Sequence, residues 1–123
     1  MGSATNRPDQ HRRYDAEYKL NDAEGIRTLL RDYDKLFQRR FEGDTAASDI
    51  LLDLKDAIDA AELTALQIEA IRLIYMEDLT QKLAAERMGI ERSVVSKHLT
   101  AAVNKIAKIY AYWADRGEGY CAS

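Results

Sequence analysis

The sequence predicts an all-α protein: an N-terminal helical hairpin followed by a three-helix helix-turn-helix domain whose last helix is long. Three observations predict it. Between Asp22 and Trp113 apolar residues recur at steps of three and four, and no stretch alternates as a half-buried strand would. One proline and six glycines in 123 residues leave room for uninterrupted helices. In Thr80–Ala111, TQKLAAERMGIERSVVSKHLTAAVNKIAKIYA, a short helix, a tight turn at Gly89–Glu91 and a longer helix from Arg92 follow in helix-turn-helix order.

Taken in order, residues 1–20 hold the only proline, Pro8, and polar residues without a period. They predict a flexible tail, with Tyr14, Tyr18 and Leu20 as candidate anchors at its end. The basic cluster His11, Arg12 and Arg13 fits a solvated tail, the alternative being an arm that touches DNA. Residues 21–62 predict an acidic hairpin for packing or dimerisation. Its first helix spans Asp22 to Phe41 with Ile26, Leu29, Leu30, Tyr33, Leu36, Phe37 and Phe41 on one face, capped by Asn21 or Asp22. Glu42-Gly43-Asp44 breaks it, and a second helix runs to Ala61 with Ala47, Ile50, Leu51, Leu54, Ile58 and Ala61 inward. Such a hairpin needs a surface to bury its stripe: the C-terminal half, a second copy, or both.

Residues 63–113 predict the helix-turn-helix domain. Thr64 and Gln67 form a T-x-x-Q capping box at the start of a helix reaching Met76, with Ile68, Ile71, Ile74 and Tyr75 on its core side. Thr80 caps the next helix, Ala85 is small where two helices cross, and Gly89 stops the helix. Leu83, Met88 and Ile90 are expected in the core. On the last helix Val95, Leu99, Ala102, Ile106, Ile109 and Trp113 share one face, and Ser93, Lys97, Thr100, Asn104 and Lys108 share the opposite one. Residues 114–123, with two glycines, predict a second flexible tail.

The net charge of −3 is unevenly spread. Residues 21–62 carry six basic and eleven acidic side chains, whereas residues 63–113 carry seven basic and five acidic. The mildly basic half is the one with the helix-turn-helix, which suits nucleic acid, although so small a surplus predicts weak binding by a lone monomer. The single cysteine, Cys121, permits no intrachain disulfide or cysteine-based metal site. Two histidines, His11 in the tail and His98 on the flank of the apolar stripe, offer no nucleophile–base pair, and there is no Gly-rich phosphate loop. Carboxylate pairs such as Asp32/Asp34 and Asp53/Asp56/Asp59 lie on amphipathic helices, where a solvated face is the simpler reading. No enzyme, catalytic residue, cofactor or metal is therefore expected. With no run of roughly 18 apolar residues and no apolar leader block, the chain is expected to be cytoplasmic, without a membrane partner.

Leu63–Ala107 resembles region four, the promoter-reading domain, of bacterial sigma factors. The elements that carry the likeness are Leu63-Thr64, Gln67, the apolar helix Ile68–Tyr75, the Thr80 cap, Ala85-x-x-x-Gly89-Ile90 and Val95-x-x-x-Leu99-x-x-Ala102. The LuxR-type output domain shares the pattern, including a His-Leu pair like His98-Leu99. The whole layout is similar to small phage and prophage transcription activators of the ArpU/RinA kind, through Leu63–Thr80 and Ala102–Ala107. The resemblance implies a DNA-binding transcription regulator of phage or prophage origin, with double-stranded DNA as partner and RNA polymerase or a second copy of the chain as further candidates. It implies that Arg92, Ser93, Ser96, Lys97 and Thr100 face bases and flanking phosphates in the major groove, while Gln81 and Lys82 lie across the backbone. Competing readings are a helical adaptor that binds RNA polymerase or another regulator, and a phage DNA-packaging recognition subunit. Ser93 has the further reading of capping the last helix.

Overall fold

Asp22, Asp44, Thr64 and Thr80 each place a side-chain oxygen on a backbone N–H of the turn that follows, and these four caps set where helices begin. The computed structural model describes residues 18–116. Six helices and no strand appear among them: α1 (Ala23–Arg31), α2 (Tyr33–Phe41), α3 (Thr45–Ala61), α4 (Ala65–Ile71), α5 (Gln81–Met88) and α6 (Arg92–Arg116). The protein is all-α, a hairpin of helices joined to a helix-turn-helix. Tyr14, the basic cluster His11–Arg13 and Cys121 lie outside the described residues.

The single helix expected over Asp22–Phe41 is two helices that meet at Asp32. Asp32 leaves helical geometry (φ −91°, ψ 9°), while its N–H still donates to the carbonyls of Thr28 and Leu29. Its carboxylate accepts from the hydroxyl of Tyr18 at 2.9 Å. The kink lets α1 pack on α6 while α2 packs on α3. Tyr18 and Leu20 are buried and tie the start of the described chain to the core. Glu42–Asp44 then reverses the chain into α3.

At Thr64 the capping box forms in both directions: the Gln67 N–H donates to Thr64 Oγ1 at 3.2 Å, and the Thr64 N–H donates to Gln67 Oε1 at 3.0 Å. The helix it starts continues from α4 into a π turn, Arg72–Met76. A π turn opens the helix by one residue per hydrogen-bonded ring and often precedes a change of direction. Here Asp78, at φ +56°, turns the chain toward Thr80. Arg72 bridges Glu69, at 2.9 Å, and Glu77, and Glu77 also meets Arg87 of α5 at 3.8 Å. Glu69 and then Glu77 hold the Arg72 proton still more tightly than usual, so this clasp stays charged.

One core cluster runs through the described residues. Its centre is α6, which touches α1, α3, α4 and α5. The hairpin thus buries its stripe on the C-terminal half of the same chain. With four neighbours, α6 needs a wider apolar face than one row supplies. Val95, Leu99, Ala102, Val103, Ile106, Ala107 and Tyr110 are buried, whereas Ile109 and Trp113 are half-buried at its edge.

Four residues expected inward lie outside: Phe37, Phe41, Ile68 and Leu83 are all exposed. The apolar residues of a helix can span more than its neighbours cover, and these four fall outside the covered part. On α4 the inward positions are Gln67, Ala70 and Ile71, with Leu73 buried in the π turn, so Ile68 faces away. No helix among the described residues is long and apolar enough to cross a membrane.

Candidate nucleic-acid interface

α5 stops because Gly89 adopts the left-handed conformation (φ +69°, ψ 33°) that a side chain would disfavour. The Ile90 N–H donates to the Ala85 carbonyl at 3.0 Å and the Gly89 N–H to that of Glu86 at 3.3 Å, closing the helix end in a Schellman arrangement. Glu91 follows, and its carbonyl accepts from Val94 and Val95, so α6 starts at Arg92. Ser93 therefore lies inside the first turn and does not cap the helix. Ala84 and Ala85 are both buried where α5 meets α6, which permits close approach of the two backbones.

On the first turns of α6 the two faces separate cleanly. Val95 is 0% and Leu99 1% exposed. Between them and beside them Arg92, Ser93, Ser96, Lys97 and Thr100 are all exposed. His98 is half-buried on the flank. At the start of α5, Lys82 is exposed and Gln81 half-buried, next to the Thr80 hydroxyl that accepts from the Leu83 N–H at 3.2 Å. The back of α6 is fixed by a contact that its polar face gave no hint of. Lys105 donates to Gln67 Oε1 at 3.0 Å, so one buried amide oxygen serves both the α4 cap and the back of the last helix.

The structure adds two arginines to this surface. Arg27 of α1 donates through Nη2 to Thr100 Oγ1 at 3.1 Å. α1 runs beside α6 in the opposite direction, since Asn21–Ala23 line a shallow cleft with Asn104, Ala107, Lys108 and Ala111. Arg31, exposed and one turn further along α1, follows Arg27 on the same face of that helix. Seventy-three positions separate Arg27 from Thr100, and no local pattern announces a pairing of that kind. Thr100 is still exposed, but its hydroxyl already has one partner. Among the described residues, no group of three or more His, Cys, Asp and Glu side chains converges as metal ligands would.

Comparisons with known proteins correct the resemblance to sigma region four and to phage activators of the ArpU/RinA kind. The chain is 43% identical over 47 residues to a UPF0251 protein of Thermococcus kodakarensis, a match covering 38% of this chain and 42% of that one. A UPF0251 protein of Pyrococcus horikoshii is 45% identical over 47 residues, 38% of this chain and 43% of that one. The chain spans little more than two fifths of the length of these curated relatives. No solved structure matches it. These relatives are archaeal and belong to a different family from the phage activators. The physical reason is visible in the fold: Ala85 at the crossing, Gly89 at the left-handed cap, and Val95, Leu99 and Ala102 in the core are what any helix-turn-helix needs. Those residues specify the turn between two helices and carry no further ancestry. Residues 39–112, more than half of the chain, match the profile of the family described as "Protein of unknown function DUF134", and the chain belongs to that family.

Proposed function

We propose that this protein is a sequence-specific DNA-binding regulator that reads the major groove with the first turns of α6. One observation carries the reading: Arg92, Ser93, Ser96, Lys97 and Thr100 are exposed together on a helix whose opposite face is locked into the core. Serine and threonine hydroxyls bond to base edges or phosphates, arginine pairs with guanine in two-pronged fashion, and lysine meets phosphate. Lys82 and Gln81, at the start of α5, flank the same surface, and the N-terminal N–H groups of that helix favour an anion. Arg27 and Arg31 widen it by a second helix. The role is binding, without a catalytic step.

Fluorescence polarisation on an unbiased pool of duplex fragments, enriched by repeated selection, tests this. The logarithm of affinity should fall linearly with the logarithm of salt, with a slope of about −3 to −4 for a handful of phosphates. Lys97→Ala should weaken binding to all sequences alike, whereas Arg92→Ala should lose about 1–3 kcal/mol on the selected site alone. Binding indifferent to salt and to both substitutions would instead favour a helical adaptor for another protein.

A further inference from the structure

The outer side of the hairpin carries an aromatic ladder that the fold leaves uncovered. Tyr33 stacks on Phe37 with ring centroids 6.2 Å apart, and Phe37 meets Phe41 edge-on at 5.2 Å. Phe37 is 39% and Phe41 76% exposed. Beside the ladder runs a groove of about 250 Å³ between α2, α3 and the end of α4, floored by Leu51, Leu54, Ile58 and Met76. It shares no residue with the surface proposed to read DNA. A protruding aromatic pair and an apolar groove thus sit side by side on one face. Water solvates both poorly, and burial of such rings is a strong non-directional driving force.

The two ends of that groove differ in charge. Arg40, exposed between Phe37 and Phe41, stands at the end near the hairpin turn. Asp59 stands at the far end. There Asp56, Asp59 and Glu62 are all exposed and outweigh Lys55, whose contact to Asp59 at 3.6 Å is wide open to solvent and so worth little. A two-fold axis across the middle of the groove brings each end of one copy onto the opposite end of the other. Such an axis would set Arg40 against the Asp59 of a second copy and bring Phe37 and Phe41 over the end of its groove lined by Tyr33, Ile58 and Met76. Because the contact is isologous, each pairing occurs twice.

We infer that the α2–α3 face is a homodimer interface, closed by the Phe37–Phe41 ladder and a reciprocal Arg40–Asp59 pair. A foreign partner would have to bring both an aromatic knob and a correctly placed carboxylate, which a second copy already has. The inference stands whether or not α6 reads DNA.

Sedimentation equilibrium of the full chain, from micromolar to millimolar concentration, tests it. The mass should rise from 14.0 kDa toward twice that value. Phe41→Glu should raise the dimer Kd at least tenfold while leaving in place the helical circular dichroism and the Tm read at concentrations where the chain is monomeric. Arg40→Asp and Asp59→Arg should each weaken the dimer, and the double variant should restore it, because only a reciprocal pair can be swapped. A mass of 14.0 kDa at every concentration overturns the inference. So does a dimer that Phe41→Glu leaves intact, or a double variant no tighter than either single one.

Discussion

Gly25 lies within α1, and a Cβ built there would meet the carbonyl oxygen of Lys19 at 2.0 Å. The incoming chain passes directly over that backbone, held by Tyr18 and Leu20 in the core. Helix propensity alone would make Gly25→Ala stabilising by about 1 kcal/mol. The clash reverses the sign, because the obstructing atom is backbone and cannot swing away. A loss of about 1–3 kcal/mol in urea unfolding is expected. Gln67 provides a second test at this scale. Gln67→Ala strands the Thr64 N–H and the Lys105 ammonium and should cost about 1–3 kcal/mol, whereas Gln67→Glu keeps an acceptor for both and should stay within about 1 kcal/mol of the parent. The capping box was legible in the sequence because it joins positions only three apart. The Lys105 bond was not, because it joins positions 38 apart.

Among the elements, the helix-turn-helix was the most legible, since its signals are local: a Thr80 cap, a small Ala85 and a Gly89 that can turn left-handed. Ala85→Leu should press α5 away from α6 and lower stability by about 1–3 kcal/mol, read as a drop in Tm with the unfolding baseline unchanged. Other features were less legible. The period of α1 and α2 runs unbroken through Asp32, and the kink there goes with a tertiary bond from Tyr18. Phe37, Phe41, Ile68 and Leu83 fit the helical period but not the cover, because periodicity gives the direction of a face and says nothing of how far its neighbours extend. The π turn at Arg72–Met76 likewise left no mark on the spacing of apolar residues.

At the scale of the whole molecule, α1 and α6 converge to form a surface that neither half of the chain has alone. The candidate contacts on α6 were legible as a polar face, whereas Arg27 and Arg31 were obscured within a hairpin whose net charge is acidic. Replacing both with alanine should weaken binding roughly equally on cognate and random duplexes, and should shrink the salt slope by about 1 to 2, as expected for phosphate neighbours. Loss of the Arg27–Thr100 bond should barely move the Tm, since the bond is exposed. A drop in affinity confined to one sequence would instead make these arginines readers of bases.

The 25-residue α6 has cohesion on one flank and chemistry on the other. Its buried flank touches four other helices, so the rod is braced along most of its length, while Arg92, Ser93, Ser96 and Lys97 stand exposed and Thr100 adds only the exposed bond from Arg27. Substitutions at those five positions can accumulate with little thermodynamic consequence. Related chains can thus diverge at these positions while inheriting the same unaltered scaffold.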